Sequence, residues 1–291
     1  MKKTDNKVMP LWEESPLFEE KDILTDRTSG RGSLLFLGRF SLKEVQAVLG
    51  KRNFFREAKT RDLIPLEFRL DASEHPLQRF QIYHRAAVPE NLIVDLKIRE
   101  MEYLPQPLPG APALLPQKCL ALEWLTLQNP RLSFCERKAP LPGQQHPGLG
   151  MGRKVVEVFA YLGKVTDKDG ILAYPAYFHN AVLFSRFFRF YNPVKEGEIA
   201  AIRRRFRKIS LKQLAWIVHL NCLRRRDGSV YEWAAEEQVY ALRRPFKAYF
   251  DSRAYRDRVK AVERESVFTV DEAALESRLD RIPALCRPIE I

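Results

Sequence analysis

Apolar and β-branched residues in the first half of the chain are grouped into short runs that predict a sheet. Residues 63–70, 80–84 and 91–101 are rich in such residues, and the two stretches between them contain proline. Runs of this length, bounded by turn-forming residues, are typical of antiparallel strands joined by short loops. A fourth, mostly apolar run at residues 119–128 follows a proline-rich connector that is unsuited to a helix. We therefore expect a meander of strands here.

Helices are predicted on both sides of the meander. Ser41 is a good N-cap residue, and Glu44 stands three positions later, which is the pattern of a capping box. A short buried strand is expected just before that helix, over residues 33–40. Further along, residues 177–187 predict a helix that leads into an aromatic strand at residues 188–191. We expect an α/β (α+β) protein with a mixed, mostly antiparallel sheet flanked by helices.

The C-terminal third differs in character, because basic side chains and helical periodicity dominate there. Apolar residues recur at helical spacing after residue 200, and Ser210 is placed to cap a helix. Further helices are predicted over residues 232–240 and 245–262. We accordingly divide the chain into a weakly structured leader (1–30), an α/β domain (31–195) and a basic α-helical extension (196–291).

Charge and composition narrow the candidate partners. The 291 residues include 49 Lys+Arg against 37 Asp+Glu, a formal net charge of +12. Such an excess attracts nucleic acid and phosphorylated ligands alike. The four cysteines form no C-x-x-C pair and stand near no histidine cluster, so neither a disulfide framework nor a zinc site is predicted. No apolar run has the length of a signal-peptide core or a membrane span, and we expect a cytoplasmic protein.

The strongest chemical signal is a glycine-rich stretch near the middle of the chain. Gly148, Gly150 and Gly152 stand at alternate positions, directly before an apolar helical pattern that Gly163 is placed to end. Glycines leave main-chain N–H groups unshielded, and those groups can converge on a phosphate at the positive end of the following helix. No Lys-Ser or Lys-Thr follows the last glycine, which excludes a P-loop, and the spacing is not the G-x-G-x-x-G of a dinucleotide-binding turn.

The same stretch matches a third kind of phosphate-binding turn. Gln145-x-x-Gly148-x-Gly150, between a strand and a helix, resembles the acyl-CoA turn (Q/R-x-x-G-x-G/A) of the GNAT superfamily of N-acyltransferases. The alternative is that these glycines only make a tight strand-to-helix turn.

A second pattern, downstream of the turn, also resembles the GNAT superfamily. Asn180 and Ala181 lie on the next predicted helix, Phe184 follows one turn later, and a strand begins at Phe188. The order matches that of the family, and the resemblance covers residues 33–192. It implies a GNAT-like fold, acetyl-CoA or another acyl-CoA as co-substrate, and transfer of the acyl group to an amine acceptor.

The resemblance also implies where the cofactor would lie, namely against the end of the strand before the turn, the turn itself and the second helix. Main-chain groups of residues 125–127 would pair with the pantetheine arm and polarise the thioester carbonyl. The cofactor-binding residues implied are Leu125, Thr126, Leu127, Gln145, His146, Pro147, Gly148, Leu149, Gly150, Met151, Gly152, Arg153, Asn180 and Phe184.

Acyl transfer to an amine needs a base that takes the proton of the amine. Glu123 is the expected base, because an acidic residue on this strand matches where some members of the family place theirs. The alternatives are that Glu123 is an ordinary solvated carboxylate, and that His146 or His179 is the base.

The reaction also needs an acid for the departing thiolate. Many family members carry a tyrosine on the second helix, but Phe184 stands at that position here and cannot donate a proton. We expect Tyr177 to replace it. The alternatives are that Tyr174 or Ser185 does so, and that the thiolate leaves unassisted.

A second function class is open because of the basic extension. Residues 203–208 and 224–226 are runs of Arg and Lys, and aromatic residues are interleaved with them. They are either solvated helix faces, a surface for nucleic acid or an acidic protein, or a site for the 3′-phosphate of CoA. In that alternative the GNAT-like domain would be catalytically idle and the protein would act as a binding or regulatory factor.

Overall fold

The computed structural model describes residues 35–287, and the predicted leader lies outside that range. The strands are β1 (Leu66–Asp71), β2 (Gln78–His84), β3 (Leu92–Tyr103), β4 (Gln117–Leu127), β5 (Gly170–Ala173), β6 (Arg189–Phe190), β7 (Leu223–Arg225), β8 (Gln238–Ala241) and β9 (Phe268–Val270). The α-helices are α1 (Leu42–Lys51), α2 (Phe54–Thr60), α3 (Gly152–Val165), α4 (Phe178–Phe184), α5 (Pro193–Arg205), α6 (Leu211–His219), α7 (Arg244–Asp251), α8 (Arg253–Glu265) and α9 (Glu272–Glu276).

Seven of these strands form one sheet in the order β1-β2-β3-β4-β5-β8-β6. Neighbouring strands are antiparallel, except that β4 and β5 run parallel. The short strands β7 and β9 form a separate antiparallel pair. The predicted meander is confirmed, and so is the fold class of a mixed, mostly antiparallel sheet flanked by helices.

Helices cover both faces of the sheet. Alternate residues of its central strands therefore pack in two different apolar clusters. Leu120 of β4 packs in a cluster with Phe159 of α3, together with residues of α1 and α2. The next residue, Ala121, points to the opposite face and packs with Phe246 of α7 and with residues of α8. A third cluster joins α4, α5 and α6 and includes Trp216.

Residues 35–40 form a tight turn instead of a strand. Phe36 and Phe40 pair with each other through two main-chain N–H···O bonds of 2.7 and 2.9 Å, and the two residues that follow Phe36 have positive φ angles of 53° and 64°. A segment that reverses at its centre cannot extend along a sheet. The prediction of a strand over residues 33–40 is therefore wrong for residues 35–40, the part that the structure describes.

The helix ends agree with the sequence in two places and differ in a third. Ser41 and Ser210 both form complete capping boxes, at the start of α1 and α6 respectively. Gly163 does not end α3, which continues to Val165. It is buried in the last turn of the helix, where a Cβ atom would collide with the side chain of Leu242. This glycine permits close packing of the helix on the sheet.

The segment after residue 195 is not only helical. The helix predicted over residues 232–240 is wrong, because residues 231–237 have no regular secondary structure and β8 follows. The segment forms a strand because β8 pairs with β5 on one side and β6 on the other, with Val239 buried between them. The helix predicted over residues 245–262 is two helices, with Ser252 as the N-cap of the second.

Helices α5 and α8 approach each other closely at Gly197. A Cβ atom at Gly197 would lie 2.7 Å from both the main-chain oxygen of Val259 and the Cβ atom of Val262. We expect Gly197→Ala to lower the free energy of unfolding by about 1–3 kcal/mol, because backbone on the partner helix must move. Urea denaturation measures the change.

Gly50 is the matched control, because it also lies in a helix and a Cβ there would meet the ring of Phe55 only at an ordinary 3.5 Å. Gly50→Ala should leave the free energy of unfolding unchanged or raise it by up to about 1 kcal/mol. Equal effects of the two substitutions would contradict the close approach of α5 and α8.

Candidate functional site

The central feature of the candidate site is an opening between β4 and β5. The two strands pair in parallel from Cys119 and Gly170 to Leu122 and Ala173. There β5 ends, while β4 continues to Leu127. The last residues of β4 therefore have β3 on one side and no strand of the described sheet on the other.

Main-chain groups of β4 point alternately towards β3 and into this opening. The N–H of Gln128 donates to the main-chain oxygen of Ile93, at the start of β3, over 2.9 Å. Because hydrogen bonding alternates along an antiparallel strand, Thr126 faces β3, whereas Leu125 and Leu127 face the opening. The residues predicted to line a pantetheine arm thus divide between the two sides of the strand.

Glu123 lies where β4 carries an extra residue. Lys97 of β3 pairs with Trp124 of β4, but the next residue, Ile98, pairs with Leu122. Glu123 is left between these pairs in a β-bulge, which bends a strand and redirects its side chains. The bulge lies at the point where β4 and β5 separate.

The glycine turn is joined directly to the open end of β4. The N–H of Leu149 donates to the oxygen of Leu127 over 3.1 Å, and the N–H of Asn129 donates to the oxygen of Pro147 over 2.8 Å. Gly150 follows with a φ angle of 74°, a conformation that glycine adopts without strain. These bonds place the N-terminus of α3 beside the opening.

Basic side chains surround this N-terminus. Arg61, from the end of α2, donates from Nε to the oxygen of Leu149 over 3.1 Å. Glu57 accepts hydrogen bonds from Lys154 and from Arg61, and these bonds lower the pKa of its carboxyl group to about 2. Sequence reasoning missed Arg61 and Glu57, because no pattern connects α2 with a turn far along the chain.

The predicted residues of the turn differ in their access to solvent. Pro147, Leu149 and Met151 are buried and anchor the turn, whereas the side chain of Arg153 is 81% exposed and pairs with Glu157 at 3.1 Å. The other members of the turn, with exposed or half-buried positions, are Gln145, His146, Gly148, Gly150 and Gly152.

A cluster of carboxylates and tyrosines lies on the face of the sheet that carries α7 and α8. Arg99 donates from Nε to Glu123 Oε1 over 2.7 Å, and Tyr103 donates to Glu237 Oε1 over 2.7 Å. Tyr174, directly after β5, lies close to both carboxylates. Burial, the charge of Glu237 and the charge of Glu123 together raise the pKa of its hydroxyl group. Sequence reasoning missed Glu237, because a helix was expected where it lies.

The structure holds Tyr177 elsewhere. Its ring stacks on His179 with a centroid distance of 5.4 Å, and its hydroxyl group lies against Gly143 of the loop before the glycine turn. The rival base His179 is buried beside it, so these two side chains form a group apart from Glu123. Of the other proposed acids, Tyr174 is the one whose surroundings include Glu123.

The second predicted pattern lies on α4 and at its C-terminal end. Asn180 is in the first turn of α4, and its N–H donates to the oxygen of Tyr177 over 3.1 Å. Phe184 packs edge-to-face on Phe188 with a centroid distance of 5.8 Å, within the core cluster under α3. Phe184 therefore serves to pack α4 onto the sheet.

The two basic runs of the extension are partly neutralised within the fold. Arg204 pairs with Glu263 at 3.3 Å, Arg224 pairs with Asp271 at 2.7 Å, and Arg225 pairs with Glu198. Several other side chains of these runs are exposed, including those of Arg207 and Arg226. Three of the eight basic side chains in these runs are therefore paired with carboxylates.

Comparison with known proteins leaves the site to be interpreted from its geometry. Within residues 35–287, no group of three metal-binding side chains could hold a metal ion, and no helix has the length and apolarity needed to cross a bilayer. No protein-family model matches the sequence, and no curated protein matches it either.

Proposed function

We propose that the protein is an acyl-CoA-dependent N-acyltransferase of the GNAT type, which transfers an acetyl or other acyl group to an amine. The observation that carries this proposal is the joining of the glycine turn, at the N-terminus of α3, to a free strand edge. The turn at Gly150 is fastened to the end of β4 by the bond between Leu149 and Leu127, and the free edge of β4 begins within the same strand.

Such an arrangement suits a ligand with a pyrophosphate and a peptide-like arm. The pyrophosphate would lie at the N-terminus of α3, where main-chain N–H groups have no partner within the helix. The pantetheine amides would pair with the main chain of Leu125 and Leu127, as an added strand does. The exposed guanidinium group of Arg153 would be available to a phosphate.

The side chains at the bulge can supply the two proton transfers. The amine nitrogen attacks the thioester carbonyl carbon, a C–N bond forms, and the C–S bond breaks. Glu123 would accept the proton that leaves the nitrogen, and CoA would leave as a thiolate. Tyr174 would protonate that thiolate. Tyr174 is favoured over Tyr177 because the surroundings of Tyr174 include Glu123, whereas Tyr177 stacks on His179.

The alternative, an idle domain whose extension binds nucleic acid or an acidic protein, has weaker support. The pairs Arg204–Glu263, Arg224–Asp271 and Arg225–Glu198 neutralise three of the eight basic side chains in residues 203–208 and 224–226. A titration with duplex and single-stranded nucleic acid at two salt concentrations separates the functions, because phosphate contacts make binding steeply salt-dependent.

Gly150→Glu tests the cofactor site. A glutamate there adds a negative charge and a side chain where the pyrophosphate would lie, so we expect the Kd for acetyl-CoA to rise about tenfold or more. Isothermal titration calorimetry measures the affinity of both proteins.

Gly228→Glu is the matched control, because Gly228 also has a positive φ angle, 82°, and open space around it. This variant should bind acetyl-CoA as the wild type does. Absence of saturable binding by the wild type, or equal affinity in the two variants, would rule out the cofactor site.

Glu123→Gln and Tyr174→Phe test the chemistry. Each should lower the rate of CoA release on a panel of primary amines by about 10²–10⁴-fold, with unchanged affinity for acetyl-CoA, because each removes one proton transfer. Thiol release is followed with a chromogenic disulfide reagent.

Glu67→Gln is the control for loss of a strand ion pair, since Glu67 pairs with Arg69 at 3.0 Å on β1, at the edge of the sheet. It should leave turnover unchanged. Full activity of Glu123→Gln would exclude Glu123 as the base.

A further inference from the structure

Besides the opening between β4 and β5, the protein has a second cavity, which lies outside the candidate acyl-CoA site. It has a volume of about 410 Å³ and lies between the loop at Pro142, the start of α4, the end of α6 and the segment at residues 232–233. This volume is within the range of small-molecule sites. The proposed acyl transfer uses none of the side chains that line it.

One side chain that lines the cavity, His179, has a buried polar atom without a hydrogen-bond partner among the described residues. His179 is 2% exposed, and in the described part of the chain its Nδ1 atom has no hydrogen-bond partner. A buried polar atom without a partner is costly, so a ligand that donates a hydrogen bond to Nδ1 would remove that cost. The pKa of His179 is lowered to about 4 by burial and by the nearby His219. Its imidazole is therefore neutral at pH 7, and one ring nitrogen carries a lone pair.

A second imidazole at the same cavity is also held in the neutral form. His219 lies at the end of α6, and burial together with the charge of Arg281 lowers its pKa. The ring of Tyr177 lies between the two histidines, 5.4 Å from His179 and 5.9 Å from His219. The polar wall of the cavity thus offers hydrogen-bond acceptors without adding positive charge.

The remaining walls are aromatic and carry a carboxylate. Trp233 is fixed by a hydrogen bond of 3.1 Å from Nε1 to the oxygen of Pro175 and by edge-to-face packing on Phe178 at 5.7 Å. Glu232 lies beside it and is exposed. Aromatic faces attract cations through the ring quadrupole, and a carboxylate at the rim adds to that attraction.

The nearest buried cation is already neutralised. Lys195 lies 4.5 Å from the ring centre of Trp233, and its Nζ atom is 3.6 Å from Glu236. An anionic ligand would therefore find no free ammonium group from Lys195 and would face the carboxylate of Glu232. An ammonium ligand finds acceptors, aromatic faces and the carboxylate of Glu232, although Lys195 already lies over the ring of Trp233. Arg281 also places a positive charge near His219.

We infer that this cavity is a binding site for an organic ammonium ion with an aromatic or apolar body. The ammonium group would bind to the neutral imidazole of His179 and near Glu232, and the body would pack on Tyr177 and Trp233. Such a ligand would bind whether or not an acyl-CoA is present.

Three probes with the same ring and different charge test this inference: phenethylammonium, phenylacetate and 2-phenylethanol. An NMR titration at pH 7.5, which follows the ring protons of His179 and the indole N–H of Trp233, gives the Kd of each. We expect phenethylammonium to bind at least about tenfold more tightly than the other two, because only it offers a charged donor.

Two variants identify the groups responsible. His179→Phe should weaken phenethylammonium binding about tenfold or more, as the loss of a hydrogen bond to a charged group does. Glu232→Gln keeps the shape of an exposed side chain and should weaken binding about two- to fivefold. Glu90→Gln, an exposed glutamate between β2 and β3, is the control and should leave binding unchanged.

Preferential binding of phenethylammonium, weakened by both variants, would support the site. The inference is overturned if phenylacetate or 2-phenylethanol binds as tightly, or if neither variant changes the affinity for phenethylammonium. Neither result depends on acetyl-CoA, so the cavity and the acyl-transfer proposal can fail separately.

Discussion

The candidate site depends on one mismatch of strand length. β4 extends to Leu127, whereas its parallel neighbour β5 ends opposite Leu122. Unpaired main-chain groups are costly when they are buried, so an edge of this kind must face water or a ligand. The glycine turn uses one of these groups, the oxygen of Leu127, and thereby fixes the N-terminus of α3 at the end of the same edge. The N-terminus of α3 and a free strand edge therefore lie at the end of one strand.

The C-terminal segment contributes to this arrangement because β8 lies inside the main sheet. β8 pairs with β5 on one side and with β6 on the other, and the side chain of Gln238 donates to the oxygen of Ala181 over 3.2 Å. The irregular segment before β8 carries Trp233 to the second cavity and Glu237 to the tyrosine cluster. Residues 174–179, after β5, connect the same two places. A shift of either segment would alter both sites.

Much of the fold could be predicted from local patterns, whereas the site could be predicted only in part. The meander and the caps at Ser41 and Ser210 depend on short-range spacing, which a sequence displays directly. The strand β8 was missed because the apolar residues of this segment recur at helical spacing. The segment forms a strand because it pairs with β5 and β6, which are distant in sequence.

The same limit applies to individual side chains. The glycine turn is a local pattern and was found. The contacts of Arg61 with Leu149 and of Tyr103 with Glu237 join residues far apart in sequence, and no periodicity indicates them. Tyr174 and Tyr177 are three residues apart, and Tyr177 was the expected acid, yet Tyr174 lies near Glu123 whereas Tyr177 stacks on His179.

Charge at the glycine turn determines which groups can act on a phosphate. The pKa of Glu57, lowered to about 2, keeps its carboxylate ionised throughout the physiological range, so Lys154 and Arg61 remain paired with it. Glu57 neutralises one of these two positive charges, so one net positive charge remains beside the turn. An incoming pyrophosphate would meet that charge, main-chain N–H groups and Arg153, whose exposed side chain pairs with Glu157. The excess positive charge of the chain would assist the approach of such an anion.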